Sequence, residues 1–250
     1  MTAVLRTDRV SRRFGALQAV REVSFALEAG ARHALIGPNG AGKTTLVNLI
    51  TGVLTPSGGD VFLEGERVTS LSSHLRARRG MARTFQITTL FPNLTVLEAV
   101  LVALCERNGL GASFWIPVAR RIREIEEAHR ILSDLHLAGD AGTLVRVLPY
   151  GKQRVLEIAV ALATRPRVLL LDEPAAGIPG SQSAEIFSVL AGLPREVTIL
   201  FIEHDMNLVF RFAERITVLA SGSILAEGTA KEIAGDARVR EVYLGEGGDA

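Results

Sequence analysis

The chain has 250 residues and a formal charge of +1, enough length for a buried core and too little net charge to make nucleic acid an expected partner. No polybasic or basic–aromatic run appears, and the single cysteine, Cys105, excludes an internal disulfide and suits a reducing compartment as a small buried apolar residue. Apolar stretches stop well short of the roughly 18 residues of a membrane span, and Met1–Val10 is charged, so neither a spanning helix nor a secretion signal is expected.

Short β-branched runs at Val23–Leu27 and His33–Ile36 predict strands, the second leading into Gly37-Pro38-Asn39-Gly40-Ala41-Gly42-Lys43-Thr44-Thr45. Glycines at that spacing let the backbone wrap with its N–H groups inward, and the helix-like run Leu46–Thr51 adds an N-terminus that favours anions. The pattern predicts a phosphate loop in which Lys43 reaches the β- and γ-phosphates, the Thr44 hydroxyl binds Mg²⁺ and Thr45 helps at the α-phosphate. Lysine occurs only three times in the chain, so a lysine at this place is informative. The motif specifies a nucleoside triphosphate and leaves the machine open.

Val61–Leu63 and Arg67–Val68 flank Glu64-Gly65-Glu66 and predict a hairpin, so part of the sheet is antiparallel. Gln86 follows the run Met81–Phe85, where its amide can approach the metal and the attacking water. From Thr95 to Leu137 the pattern turns helical, with a stripe of Ile122, Ile125, Ala128, Ile131, Leu132 and Leu135 opposite a solvated charged face. A second helical stripe follows Leu148–Arg154.

Val168–Leu171 reads as a fully buried strand that ends in Asp172 and Glu173. Carboxylates at that edge suit a Mg²⁺ ligand, Asp172, and a general base, Glu173. Thr198–Ile202 repeats the geometry and ends in Glu203-His204-Asp205, which makes His204 a candidate γ-phosphate contact. Ile216–Leu219 and Ile224–Ala226 close with a second hairpin around Ser221-Gly222-Ser223.

Four of these segments in this order resemble the ATP-binding subunit of ABC transporters over nearly the whole length. Gly37–Thr45 matches the Walker A loop, Val168–Glu173 the Walker B strand, Gln86 the Q-loop and His204 the switch histidine. The resemblance implies that Phe14 stacks on adenine, and that Pro149, Tyr150, Gly151, Lys152 and Gln153 form the signature loop, which acts on the nucleotide of a second subunit. It implies an α/β fold: a P-loop, RecA-like core with an antiparallel β lobe (1–86 and 162–250, with the C-terminal tail) interrupted by an α-helical lobe (87–161) carrying the signature. ATP and Mg²⁺ are the implied cofactors.

Two departures stand out. Pro149 replaces the signature serine, removing a hydroxyl and an N–H, and Pro179 stands where the following D-loop carries Asp or Asn. Tyr150, the segments Arg83–Gln86, Glu173–Gly177 and Ile202–Met206, and the tail Val242–Glu246 resemble the branch that imports branched-chain amino acids, whose relatives handle urea or short amides. That branch implies a second ATP-binding subunit, two transmembrane permease subunits and an extracytoplasmic solute-binding protein, with the chain on the cytoplasmic side of the membrane. Residues Leu90–Leu94 are the expected permease dock. A soluble ABC ATPase acting on nucleic acid or ribosomes is the alternative of another class; the single cassette and near-neutral charge weigh against it.

Overall fold

The computed structural model describes residues 3–84, 90–110 and 121–244, with the backbone alone at 181, 182 and 244. Two sheets organise it. The first is antiparallel, in the order β2-β1-β4-β5, from β1 (Ala3–Phe14), β2 (Leu17–Glu28), β4 (Gly58–Leu63) and β5 (Glu66–Arg67). The second has the order β10-β9-β3-β8-β7-β6. Its strands are β3 (Arg32–Ile36), β6 (Met81–Arg83), β7 (Val168–Asp172), β8 (Thr198–Ile202), β9 (Arg215–Ala220) and β10 (Ser223–Gly228). All its pairings are parallel except β9 with β10.

The three central strands β3, β7 and β8 are buried at every position. That is why β7 and β8 read as near-continuous apolar runs, the signature of a parallel sheet covered on both faces. The strand β3 shows the pattern only from Ala34, after the buried Arg32 and His33. The strand β1 was not legible in the same way. Arg6, Arg9 and Arg13 are exposed along it, and its pairing with β2 is broken by register shifts around Thr7–Val10, where Arg9 takes φ +45°. A bulge resets the inside–outside alternation on which strand recognition depends.

Helix α1 (Lys43–Thr51) follows β3 directly. Helices α3 (Val96–Arg107), α4 (Ile122–Asp134) and α5 (Tyr150–Ala163) form a helical layer. Leu104, Ala128, Leu132 and Leu156 belong to one buried cluster that continues onto Leu169 and Leu171 of β7. A second cluster joins the antiparallel sheet to α1 and the other face of the parallel strands. Thr95 and Glu98 start α3 with a reciprocal capping box.

Three expectations for the helical layer need correction. Ile122, the first residue of α4, is 63% exposed and does not join the buried stripe. Glu127, placed on a solvated face by its sequence, is half-buried and receives both Arg107, at 2.8 Å, and Arg165, at 3.0 Å. The Arg107 hydrogen bonds, ahead of the opposing effect of burial, hold its carboxyl below the ordinary range. Cys105 is likewise only half-buried, and its Sγ accepts from Arg121 Nη1 at 3.1 Å.

The remaining helices are α2 (Ser73–Arg78), α6 (Gly180–Ala191), α7 (Met206–Phe212), α8 (Ala230–Gly235) and α9 (Ala237–Leu244). Among the described residues no helix is long and apolar enough to cross a membrane.

Candidate functional site

The carboxyl ends of β3, β7 and β8 bring three of the predicted segments to one edge of the parallel sheet, where ligands of open α/β sheets bind. From β3 the chain enters the 37–45 loop. Gly37 has φ +151° and a Cβ there would lie 2.1 Å from the Leu219 carbonyl oxygen; Gly42 has φ +100° and its Cβ would lie 2.4 Å from that of Ala19. Backbone from β9 and β2 therefore presses on the loop at both positions, and no other residue fits. Lys43 donates from Nζ to the carbonyls of Gly37, at 2.6 Å, and Pro38, at 2.9 Å, drawing the loop's start onto the first turn of α1.

Asp172 ends β7 with a side chain only 3% exposed. Its Oδ2 accepts from Arg83 Nη2 at 2.7 Å, and Arg83 Nη1 donates to Asn48 Oδ1 at 2.6 Å. One guanidinium on β6 thus ties the end of β7 to α1. The other oxygen, Asp172 Oδ1, is buried and accepts no hydrogen bond among the described residues. A buried carboxylate oxygen left without a donor is a cation-binding group by its chemistry.

Glu173 takes φ +50°, rare for a side chain this size, and its N–H donates to the Ile202 carbonyl at 3.1 Å. The twist carries its carboxylate to the end of β8, where Oε1 lies 2.7 Å from His204 Nε2. The structure thus joins two residues that sequence placed on separate strands. Glu203 beside them is buried, accepting from Ala175 N and His204 N at 3.1 Å each. Burial holds its carboxyl above the ordinary range; backbone donors from Ala175, His204 and Asp205 oppose this, and the charge of Glu173 adds to it.

Phe14 lies at the turn between β1 and β2, 43% exposed, with the Arg12 guanidinium 4.8 Å from its ring centre. It is not a core residue. Gln86 falls outside the described residues.

The signature segment starts α5, with Pro149 as its cap at φ −55° and ψ 147°. Lys152 and Gln153 turn to their own lobe. Lys152 pairs with Asp140 at 2.7 Å, and Gln153 Nε2 donates to the Leu148 carbonyl at 3.0 Å. The Tyr150 hydroxyl accepts from Arg154 Nη2 at 2.6 Å, and Arg154 also pairs with the buried Glu157 at 2.9 Å. A Cβ at Gly177 would lie 3.6 Å from the Tyr150 ring, so the signature and the loop after Glu173 meet within one chain. Arg83 and Glu203 stand inside segments that the sequence marks, but neither has a role legible there, and only contacts across the fold give them one.

The ABC transporter family model matches residues 20–176, which includes the phosphate loop, the 148–154 segment and the Asp172–Glu173 pair. The chain belongs to the ABC transporter family, as one of its ATP-binding cassettes. A second model, described as a branched-chain amino acid ATP-binding cassette transporter, matches residues 223–249 of this cassette. The cassette is 41% identical to the high-affinity branched-chain amino acid transport ATP-binding protein BraF of Pseudomonas aeruginosa, over 97% of this chain and 98% of that one. It is 39% identical to LivG, of the same description, from Escherichia coli, with the same coverage. Among solved structures it resembles the ADP conformation of MJ1267, an ATP-binding cassette of an ABC transporter. That match has a TM-score of 0.86 and 33% identity over 98% of this chain and 100% of that one. The α/β cassette fold expected from the sequence is therefore the fold of this protein.

Proposed function

We propose that this cassette binds and hydrolyses Mg²⁺-ATP to power an importer of branched-chain or other hydrophobic amino acids. The near-full-length likeness to BraF carries the substrate class, supported by the separate match at residues 223–249. In this reading Lys43 and the loop amides hold the β- and γ-phosphates, Thr45 assists at the α-phosphate and Phe14 stacks on adenine. Thr44, Asp172 and Gln86 hold Mg²⁺, and the unsatisfied Asp172 Oδ1 suits that assignment. When bound, the ion neutralises charge on the phosphate oxygens.

Glu173 takes a proton from the attacking water. His204, 2.7 Å away, orients that carboxylate and contacts the γ-phosphate. Pro149, Tyr150, Gly151, Lys152 and Gln153 serve the nucleotide of a second ATP-binding subunit, so Pro149 weakens the partner's site and not this one. Residues 1–86 with 162–250 act as the nucleotide core and β lobe, and 87–161 as the helical lobe. Two permease subunits hold the cassette at the cytoplasmic face of the membrane, and an extracytoplasmic binding protein delivers solute.

Proteoliposomes that combine this chain with the second ATPase, permease and binding-protein partners recovered with it test the proposal. Expected is ATP-dependent uptake of labelled leucine. Uptake of urea or acetamide instead replaces the substrate class. ATPase activity stimulated by DNA or ribosomes but not by the permease removes the transport reading.

A further inference from the structure

Glu203 lies between β8 and α7, only 6% exposed, a depth at which a carboxylate needs firm partners. Its two oxygens divide between two loops: Oε1 accepts from Ala175 N and Oε2 from His204 N. The contacts close a circuit. Glu173 Oε1 meets His204 Nε2 at 2.7 Å, the His204 amide meets Glu203, Glu203 meets the Ala175 amide, and Pro174 returns the chain to Glu173. A side chain with a single acceptor would leave one of those amides without its partner. The positive φ of Glu173 also needs surroundings that hold it in place, and the circuit supplies them.

We infer that Glu203 is a positioning residue whose two oxygens bind the segment after Glu173 to the backbone of His204, so that base and histidine keep one spacing and shift as a unit. The residue touches neither nucleotide nor water in this scheme. It acts through the pair it holds, and through Ala175 it links that pair to the loop on which Gly177 meets Tyr150.

The inference rests on the hydrolytic reading proposed above, so ATP turnover by the wild-type cassette is measured first. Binding without any hydrolysis removes both. Given turnover, Glu203→Gln keeps the shape but turns an amide N–H toward a backbone N–H. Its kcat should fall about tenfold, with the KM for ATP within about threefold. Once His204 is already alanine, Glu203→Gln should slow the enzyme no further, because residues acting as one unit are non-additive. Turnover by Glu203→Gln within about twofold of wild type, or losses that simply multiply, overturns the inference. Hydrogen exchange on the unmodified chain tests it independently of folding in the variant. The Ala175 and His204 amides share one carboxylate and should exchange at matching rates; a difference beyond about tenfold overturns the inference.

Discussion

The chemistry at the end of β7 turns on which carboxylate is tied and which is left available. Asp172 gives one oxygen to Arg83 and keeps the other unsatisfied, while Glu173 is aimed by its backbone twist at His204. The two acids are therefore not interchangeable. Glu173→Gln keeps the shape and loses the proposed base, so turnover should fall at least about 100-fold while ATP binding survives. Single-turnover kinetics beside equilibrium binding of a fluorescent ATP analogue separate the two; wild-type turnover in that variant excludes Glu173 as the base. Arg83→Met predicts a different loss, because it strands a buried carboxylate. Stability should drop by about 3 kcal/mol, and by clearly less when Asp172 is already Asn. Urea unfolding of the four proteins measures the coupling, and equal losses in both backgrounds would show that Arg83 acts elsewhere.

Among the elements, α1 is held at both ends by unusual means. Its start is the glycine-rich 37–45 loop, and its end is closed by Arg76, fully buried, which donates to the carbonyls of Leu49, Ile50, Thr69 and Leu71. Burial pulls the Arg76 pKa down to about 10, still far enough above neutrality to keep the charge. Arg76→Met leaves several buried carbonyls without donors and should cost about 3 kcal/mol, with Arg76→Lys restoring part of it in urea melts. On β3, His33 is buried against Thr217, 2.8 Å from its hydroxyl, and burial lowers its pKa from 6.5 to about 4. Between those values the unfolded chain takes up a proton that the folded chain refuses. Stability from this group is thus complete above pH 6.5 and is lost as pH falls toward 4. The loss from pH 7 to 5 should be about 2 kcal/mol, and His33→Gln should flatten that part of the profile.

These elements also mark what the sequence makes legible. The strand–loop–helix around 37–45 and the strand ending at Asp172 could be read because each pattern is packed into consecutive residues. Arg83 meets Asp172 across 89 positions, Arg76 meets Leu49 across 27 and Glu203 meets Ala175 across 28, separations with no local pattern. The strand β1 escaped for another reason, since its bulge and its exposed arginines hide the alternation.

At the scale of the whole molecule, a groove of ≈ 1220 Å³ runs between the helical layer and the core. Of the expected docking stretch Leu90–Leu94, only Leu90 and Phe91 line it. The backbone carbonyls of Pro92 and Leu94 are instead engaged by Arg146 N and Val145 N, which turns that part of the stretch toward its own lobe. Val53 and Val102 complete an apolar wall with Phe91, and all three are exposed: Phe91 at 63%, Val53 at 52% and Val102 at 49%. The charges around this wall are largely answered within the chain, as Arg107 is by Glu127 and Arg83 by Asp172. Attraction for a permease segment should therefore come mainly from apolar burial, which salt does not screen. Truncating an aromatic anchor typically costs about 2 kcal/mol or more, so Phe91→Ala with Val102→Ser should weaken permease association about 30-fold or more. That loss should persist at high salt, whereas a dock held by surface charge would weaken in the wild type as salt rises. Pull-down of the permease pair at low and high ionic strength decides between them. Undiminished recovery with the double variant would place the dock on another face.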